Sequence, residues 1–101
     1  GTIDEAIAKW ALAEVRRIAR ETVSGHPVEI YLFGSWARGD ASRTSDIDLA
    51  IVPKGPIPKE LLATLRERLE ESTVPYRVDV VNLDEVDGDF RSRVLQEAIR
   101  W

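Results

Sequence analysis

Two short stretches of this chain carry residues whose types and spacing can do chemistry. They are Phe33-Gly34-Ser35-Trp36-Ala37-Arg38-Gly39 and Ser45-Asp46-Ile47-Asp48-Leu49-Ala50-Ile51-Val52. In the first, a glycine-serine turn leaves an apolar strand; in the second, carboxylates spaced by one residue open another. Gly34 lets the backbone come close to a triphosphate, and the amides opening the next helix, with the Ser35 hydroxyl, can donate hydrogen bonds to its oxygens. Alternate residues of an extended strand share a side, so Asp46 and Asp48 project together while Ile47 and Leu49 face the core. A hard cation such as Mg²⁺ relieves the repulsion between them, because it takes oxygen ligands, keeps several waters and accepts phosphate oxygens in its remaining positions. Either half alone is ordinary turn chemistry. Together they outline a nucleotidyl-transfer site.

A third carboxylate belongs to the same argument. Val78 and Val80 face one way on a strand, leaving Asp79 on the other side with Arg77 and Val81. A charge flanked by valines in a central strand is costly to bury without compensation. If that strand neighbours the second, Asp79 completes a three-carboxylate cluster able to hold two ions ~3.5–4 Å apart. The competing reading is an ion pair with a nearby arginine. Arg38, one helical turn beyond Ser35, and Arg43 in the loop are candidates to neutralise a leaving pyrophosphate, Arg38 being the better placed. Both could instead be solvated loop residues. The Gly34 to Gly39 spacing resembles a P-loop only superficially, since Asp40 stands where its lysine would be. Ser45 reads as the cap of the turn before the aspartates, and His26 as structural. Asp84, Asp87 and Asp89 around Gly88 lack the spacing and terminal glutamate of a calcium loop and read as a solvated turn.

The elements that must position these groups follow from periodicity. Ile3, Ile7, Trp10, Ala11, Val15 and Ile18 predict a helix from Thr2 to about Thr22, with Thr2 and Glu5 as a capping box and Trp10 in the core. Gly25-His26-Pro27 ends it. Val28 to Phe33 is a strand, Ser35 to about Gly39 a turn opening a short helix, and Ile47 to Val52 a second strand. After the proline-rich Pro53 to Pro58 stretch, Pro58 suits a first helical position, and Leu61, Leu62, Leu65 and Leu69 extend a helix to about Ser72. A third strand covers Tyr76 to Val81, and Phe90, Val94, Leu95, Ala98, Ile99 and Trp101 predict a final helix. The expected order is αβ(α)βαβα: one α/β domain over residues 1–101, with helices against a small mixed sheet of about three strands. Trp36 and Trp101 fall outside the core pattern and read as rim or partner anchors.

Composition narrows the function classes. A chain of 101 residues has room for one core but not for a second recognition lobe of ordinary size. Its net charge of −4 argues against general nucleic-acid binding, which needs clustered Lys and Arg. No apolar run approaches the ~20 residues that span a membrane. Gly1 stands where an initiator methionine would, so that end carries no functional weight. The absence of cysteine, and of a secretory signal in this sequence, leads to an expected cytoplasmic location.

Gly34-Ser35 with Arg38-Gly39, then Ser45-Asp46 with Asp48-Leu49, and Asp79 on a later strand, resemble the polymerase-β-type nucleotidyltransferase superfamily, especially its minimal nucleotidyltransferase (MNT) branch. The resemblance covers essentially the whole chain. It implies that Asp46 and Asp48 bind Mg²⁺, that Asp79 joins them and helps activate the attacking hydroxyl, and that Gly34 and Ser35 hold the nucleoside triphosphate. It also implies an antitoxin paired with a HEPN-domain ribonuclease toxin, which some members silence by moving AMP from ATP to a toxin tyrosine. A catalytic core of this size has little surface for a small acceptor, which agrees with a hydroxyl presented by a second polypeptide. Transfer to a small molecule such as an aminoglycoside, and an antitoxin that neutralises by binding alone, stay open. So do base preference, the acceptor group and self-association.

Overall fold

Alternation along Val28-Glu29-Ile30-Tyr31-Leu32-Phe33 sends Ile30 and Leu32 to one face of a sheet and Tyr31 and Phe33 to the other. That split organises the computed structural model, which describes residues 3–101. Its elements are α1 (Glu5–Val23), β1 (Val28–Phe33), α2 (Ser35–Arg38), β2 (Ile47–Pro53), α3 (Leu61–Glu70), β3 (Val78–Asn82), α4 (Gly88–Glu97) and β4 (Ile99–Arg100). The sheet order is β3-β2-β1-β4. β2 and β3 are parallel, while β1 is antiparallel to both β2 and β4.

One face carries the main core. Ile30, Leu32, Ile47, Leu49, Ile51 and Val80 meet Val15, Ile18, Ala19 and Val23 of α1 and the leucines of α3. The other core is thinner: Phe33, Ala50, Val52, Leu83 and Val94, under α4 alone. Asp46, Asp48 and Asp79 lie on the side of this second face, in step with Ala50, Val52 and Val81.

Three local expectations are corrected. Thr2 lies outside the described residues, and the cap of α1 is Asp4, whose carboxylate accepts from the amides of Ala6 and Ile7. Trp10 is not core: it is 46% exposed, because the buried stripe runs through Ala11, Val15 and Ile18, and Trp10 is turned about 100° from Ala11. Pro58 precedes α3 instead of opening it; its carbonyl accepts from the Leu61 amide in a turn.

The last expected helix is also shorter than its periodicity implies. α4 stops at Glu97, Ala98 is extended (φ −68, ψ 145), and Ile99 and Arg100 pair with Leu32 and Tyr31 as a fourth strand. Trp101 donates its amide to the Ile30 carbonyl. Without β4, that side of β1 would be an open edge with unpaired backbone groups. An apolar pattern this short fits strand or helix, and the pairing decides.

Candidate active site

The sheet register builds the site. Phe33 of β1 stands opposite Asp48 of β2, and Asp48 stands beside Asp79 of β3, so one row crosses three adjacent strands. Asp46 lies one side-chain repeat before Asp48, on the same face. The chain leaves β1 at Gly34, which has φ +75, and turns into α2. The turn packs directly on the carboxylate: a Cβ at Gly34 would collide with Asp48 Oδ2 and lie 3.2 Å from its Cγ. Gly34 is therefore required twice, for its dihedral and for its lack of a side chain.

A cleft of about 570 Å³ runs along this turn, lined by Gly34, Ser35, Arg38, Asp46, Asp48 and Glu97 among others. A second, of about 910 Å³, lies along β3 past Asp79, Tyr76 and Arg77. Phe33, Asp48 and Phe90 border both, which makes Asp48 the junction between two openings. Phe90 is held over this end of the sheet by an edge-to-face contact with Phe33, at 6.2 Å between centroids.

The electrostatics single out Asp48. Partial burial, then the charges of Asp79 and Asp46, push its pKa up to about 6, with Arg38 opposing. Asp79 is half-exposed and pairs with Arg77 at 3.3 Å. Asp79 therefore has an arginine partner as well as a place next to Asp48. Among the described residues no three His, Cys, Asp or Glu side chains are arranged to enclose a metal ion as they stand. Asp46, Asp48 and Asp79 share a face and a field without closing a ligand shell.

Arg38 is engaged within the protein. Its Nη1 donates to Glu97 Oε1 (3.3 Å) and Oε2 (3.2 Å), and its Nε donates to Asp40 Oδ2 (3.4 Å). The Glu97 and Asp40 carboxylates hold the guanidinium pKa above its ordinary value. Arg43 is exposed and borders neither cleft. Ser45 behaves as a turn cap, its Oγ accepting from the Ser42 amide at 2.9 Å.

Trp36 corrects the rim reading. It is 8% exposed, donates Nε1–H to the Ser45 carbonyl at 3.2 Å, and packs edge-on against Tyr76 at 4.8 Å. The indole thus ties α2 to the start of the aspartate strand. Trp101 is partly buried against the main core. Asp87 caps α4 by accepting from the Phe90 amide, and Asp84 pairs with Arg91. Glu97 is the residue that motif reading missed. It has no spacing relation to the Gly34 turn, and only the helix end at residue 97 brings it there.

Comparison with known proteins follows the same outline. The sequence profile of the polymerase beta nucleotidyltransferase domain matches residues 16–100. The chain is similar to MntA of Haemophilus influenzae, a protein whose name describes a protein adenylyltransferase, with 36% identity over 80 residues, covering 79% of this chain and 68% of that protein. A solved structure described as a minimal nucleotidyltransferase superposes with a TM-score of 0.71 at 31% identity, over 87% of this chain and 90% of the other. A toxin-antitoxin crystal structure with AMP-PNP superposes with a TM-score of 0.69 at 26% identity, over 88% and 71%. With the profile spanning most of the chain and the glycine-serine turn set against Asp48, the protein belongs to the polymerase beta nucleotidyltransferase family.

Proposed function

We propose that this chain transfers AMP from ATP to a hydroxyl of a partner protein, a HEPN-type toxin, and so acts as its antitoxin in the cytoplasm. The observation that supports the reading is the close approach of the Gly34 turn to Asp48, the arrangement expected of a phosphate cradle beside a metal-binding carboxylate. The similarity to a protein adenylyltransferase and to a toxin-antitoxin structure with AMP-PNP supports the acceptor class.

Asp46, Asp48 and Asp79 form an all-oxygen, hard donor set suited to Mg²⁺, and the raised pKa of Asp48 marks a place where a cation relieves repulsion. Bound there, Mg²⁺ would supply charge neutralisation at the α-phosphate. Ser35 holds the triphosphate through its amide and hydroxyl, and Gly34, having no side chain, lets the backbone approach it. The acceptor oxygen forms a bond to the α-phosphorus as the bond to the bridging oxygen of pyrophosphate breaks. Asp79, on the side of the larger cleft, takes the acceptor proton, and Arg38 neutralises the departing pyrophosphate.

Incubation with a HEPN protein encoded beside this chain and Mg-ATP is expected to add AMP-sized mass to that partner, read on the intact protein, while the Asp46→Asn variant adds none. Equal neutralisation of the toxin by both, without a mass change, would leave binding alone as the function. The proton-accepting role has its own test. Asp79→Asn is expected to bind Mg-ATP within a few-fold of the parent while transferring on the order of 10²-fold more slowly. Equal loss of binding and transfer would make Asp79 an ordinary ligand.

A further inference from the structure

Glu97 ends α4 with its carboxylate inside the nucleotide cleft, on groups supplied by the opposite wall. Its Oε1 accepts the Gly34 amide at 3.1 Å, and both of its oxygens accept from Arg38 Nη1. The Gly34 amide would otherwise be an orphan donor at the end of β1, where the chain enters its left-handed turn. The Arg38 side chain is half-exposed and would otherwise sample many rotamers. Glu97 is itself about one third exposed, so the bridge is formed in the cleft and not in the core. The helix ends at the extended Ala98, and β4 anchors that point by pairing with β1, the strand that runs into Gly34.

We propose that Glu97 is a positioning residue for nucleotidyl transfer: by bridging the Gly34 amide and the Arg38 guanidinium, it holds the phosphate turn and its cation in the arrangement that receives a triphosphate. The inference rests on the assignment of Arg38 to the pyrophosphate. Glu97 leaves the Ser35 amide and hydroxyl for the nucleotide, since its contacts go to Gly34 and Arg38. Asp40, on the far edge of Arg38, completes the clamp through Nε.

The test is titration calorimetry of Mg-ATP with the intact chain, paired with AMP transfer to the partner. Glu97→Ala is expected to weaken Mg-ATP binding about 10-fold, with a thermal midpoint close to the parent's. Glu97→Gln retains an acceptor for the Gly34 amide and is expected to recover part of the loss. In a double-mutant cycle, Glu97→Ala is expected to add little to Arg38→Ala, because both remove one arrangement. Tighter binding by Glu97→Ala would mean that the carboxylate obstructs the site, and would overturn the proposal. So would fully additive losses, or parental binding by both variants. If Asp46→Asn abolishes transfer but Glu97→Ala binds normally, the positioning role alone fails. If Arg38→Ala binds and transfers normally, the pyrophosphate assignment fails and takes the positioning role with it.

Discussion

Asp48→Asn is expected to abolish AMP transfer, by on the order of 10³-fold, while making the metal-free protein more stable at neutral and alkaline pH. Both effects come from the same crowding. Asp48 is partly buried, with Asp79 beside it on β3 and Asp46 one repeat before it along its own chain, and its pKa is pushed up to about 6 from an ordinary value of 3.8. A carboxyl whose folded-state pKa is raised binds its proton more readily in the folded than in the unfolded chain. Its contribution therefore favours folding as the pH falls from about 6 towards 3.8, and disfavours folding once the group is ionised above 6. Asparagine removes that ionised-state penalty at similar size. The thermal midpoint of Asp48→Asn, measured without metal, should exceed the parent's at pH 8 and converge with it near pH 4. Adding Mg²⁺ should raise the parent's midpoint and leave the variant's nearly unchanged. A variant that transfers AMP at the parental rate would remove Asp48 from the site, and a midpoint difference independent of pH would assign the stability gain to something other than its charge.

Gly34→Ala is expected to cost more than any other single methyl group added to the site. The backbone at Gly34 has φ +75 and ψ −156, a region almost confined to glycine that costs roughly 1–3 kcal/mol for a residue with a Cβ, and the added carbon meets Asp48 Oδ2. Relief requires moving either the turn or the carboxylate, and each movement separates the Gly34–Ser35 turn from the Asp48 carboxylate. The expected result is loss of AMP transfer with a folded but destabilised protein, checked by circular dichroism and thermal melting beside the transfer assay. Gly39→Ala is the control. Gly39 also has a positive φ, but an added Cβ there meets nothing within 4 Å, so its cost is conformational only. Equal effects at both glycines would mean that close approach to Asp48 does not matter.

The part of this molecule that could be read from its sequence is the part written in local chemistry. The alternation of β1 and β2, the leucine spacing of α3 and the one-residue gap between Asp46 and Asp48 each depend on a few neighbouring residues. They place the strands and give the two aspartates one face without knowledge of the fold. The proximity of Asp79 required a strand order, which periodicity does not contain, and the parallel β2–β3 pairing supplies it. Trp36 looked peripheral because α2 is only four residues long, too short to display a buried stripe. Its burial depends on Tyr76 and on the Ser45 carbonyl, both distant in sequence. Trp10 failed in the opposite direction, since a spacing of three and four tolerates a neighbour on the shoulder of the stripe. Glu97 was invisible for the same reason as β4: the end of α4 is set by the open side of β1.

The two unequal faces of the sheet divide the protein's evolutionary freedom. Substitutions at Leu65 or Leu49, which are fully buried on the thick side, threaten the fold itself. On the thin side α4 fully buries only Val94, and most of its remaining surface borders the cleft or faces solvent. Changes there alter what enters the cleft at little risk to folding. A lineage can therefore vary the lining of the cleft by drift along α4, while the aspartates stay beside strands held from behind by α1 and α3.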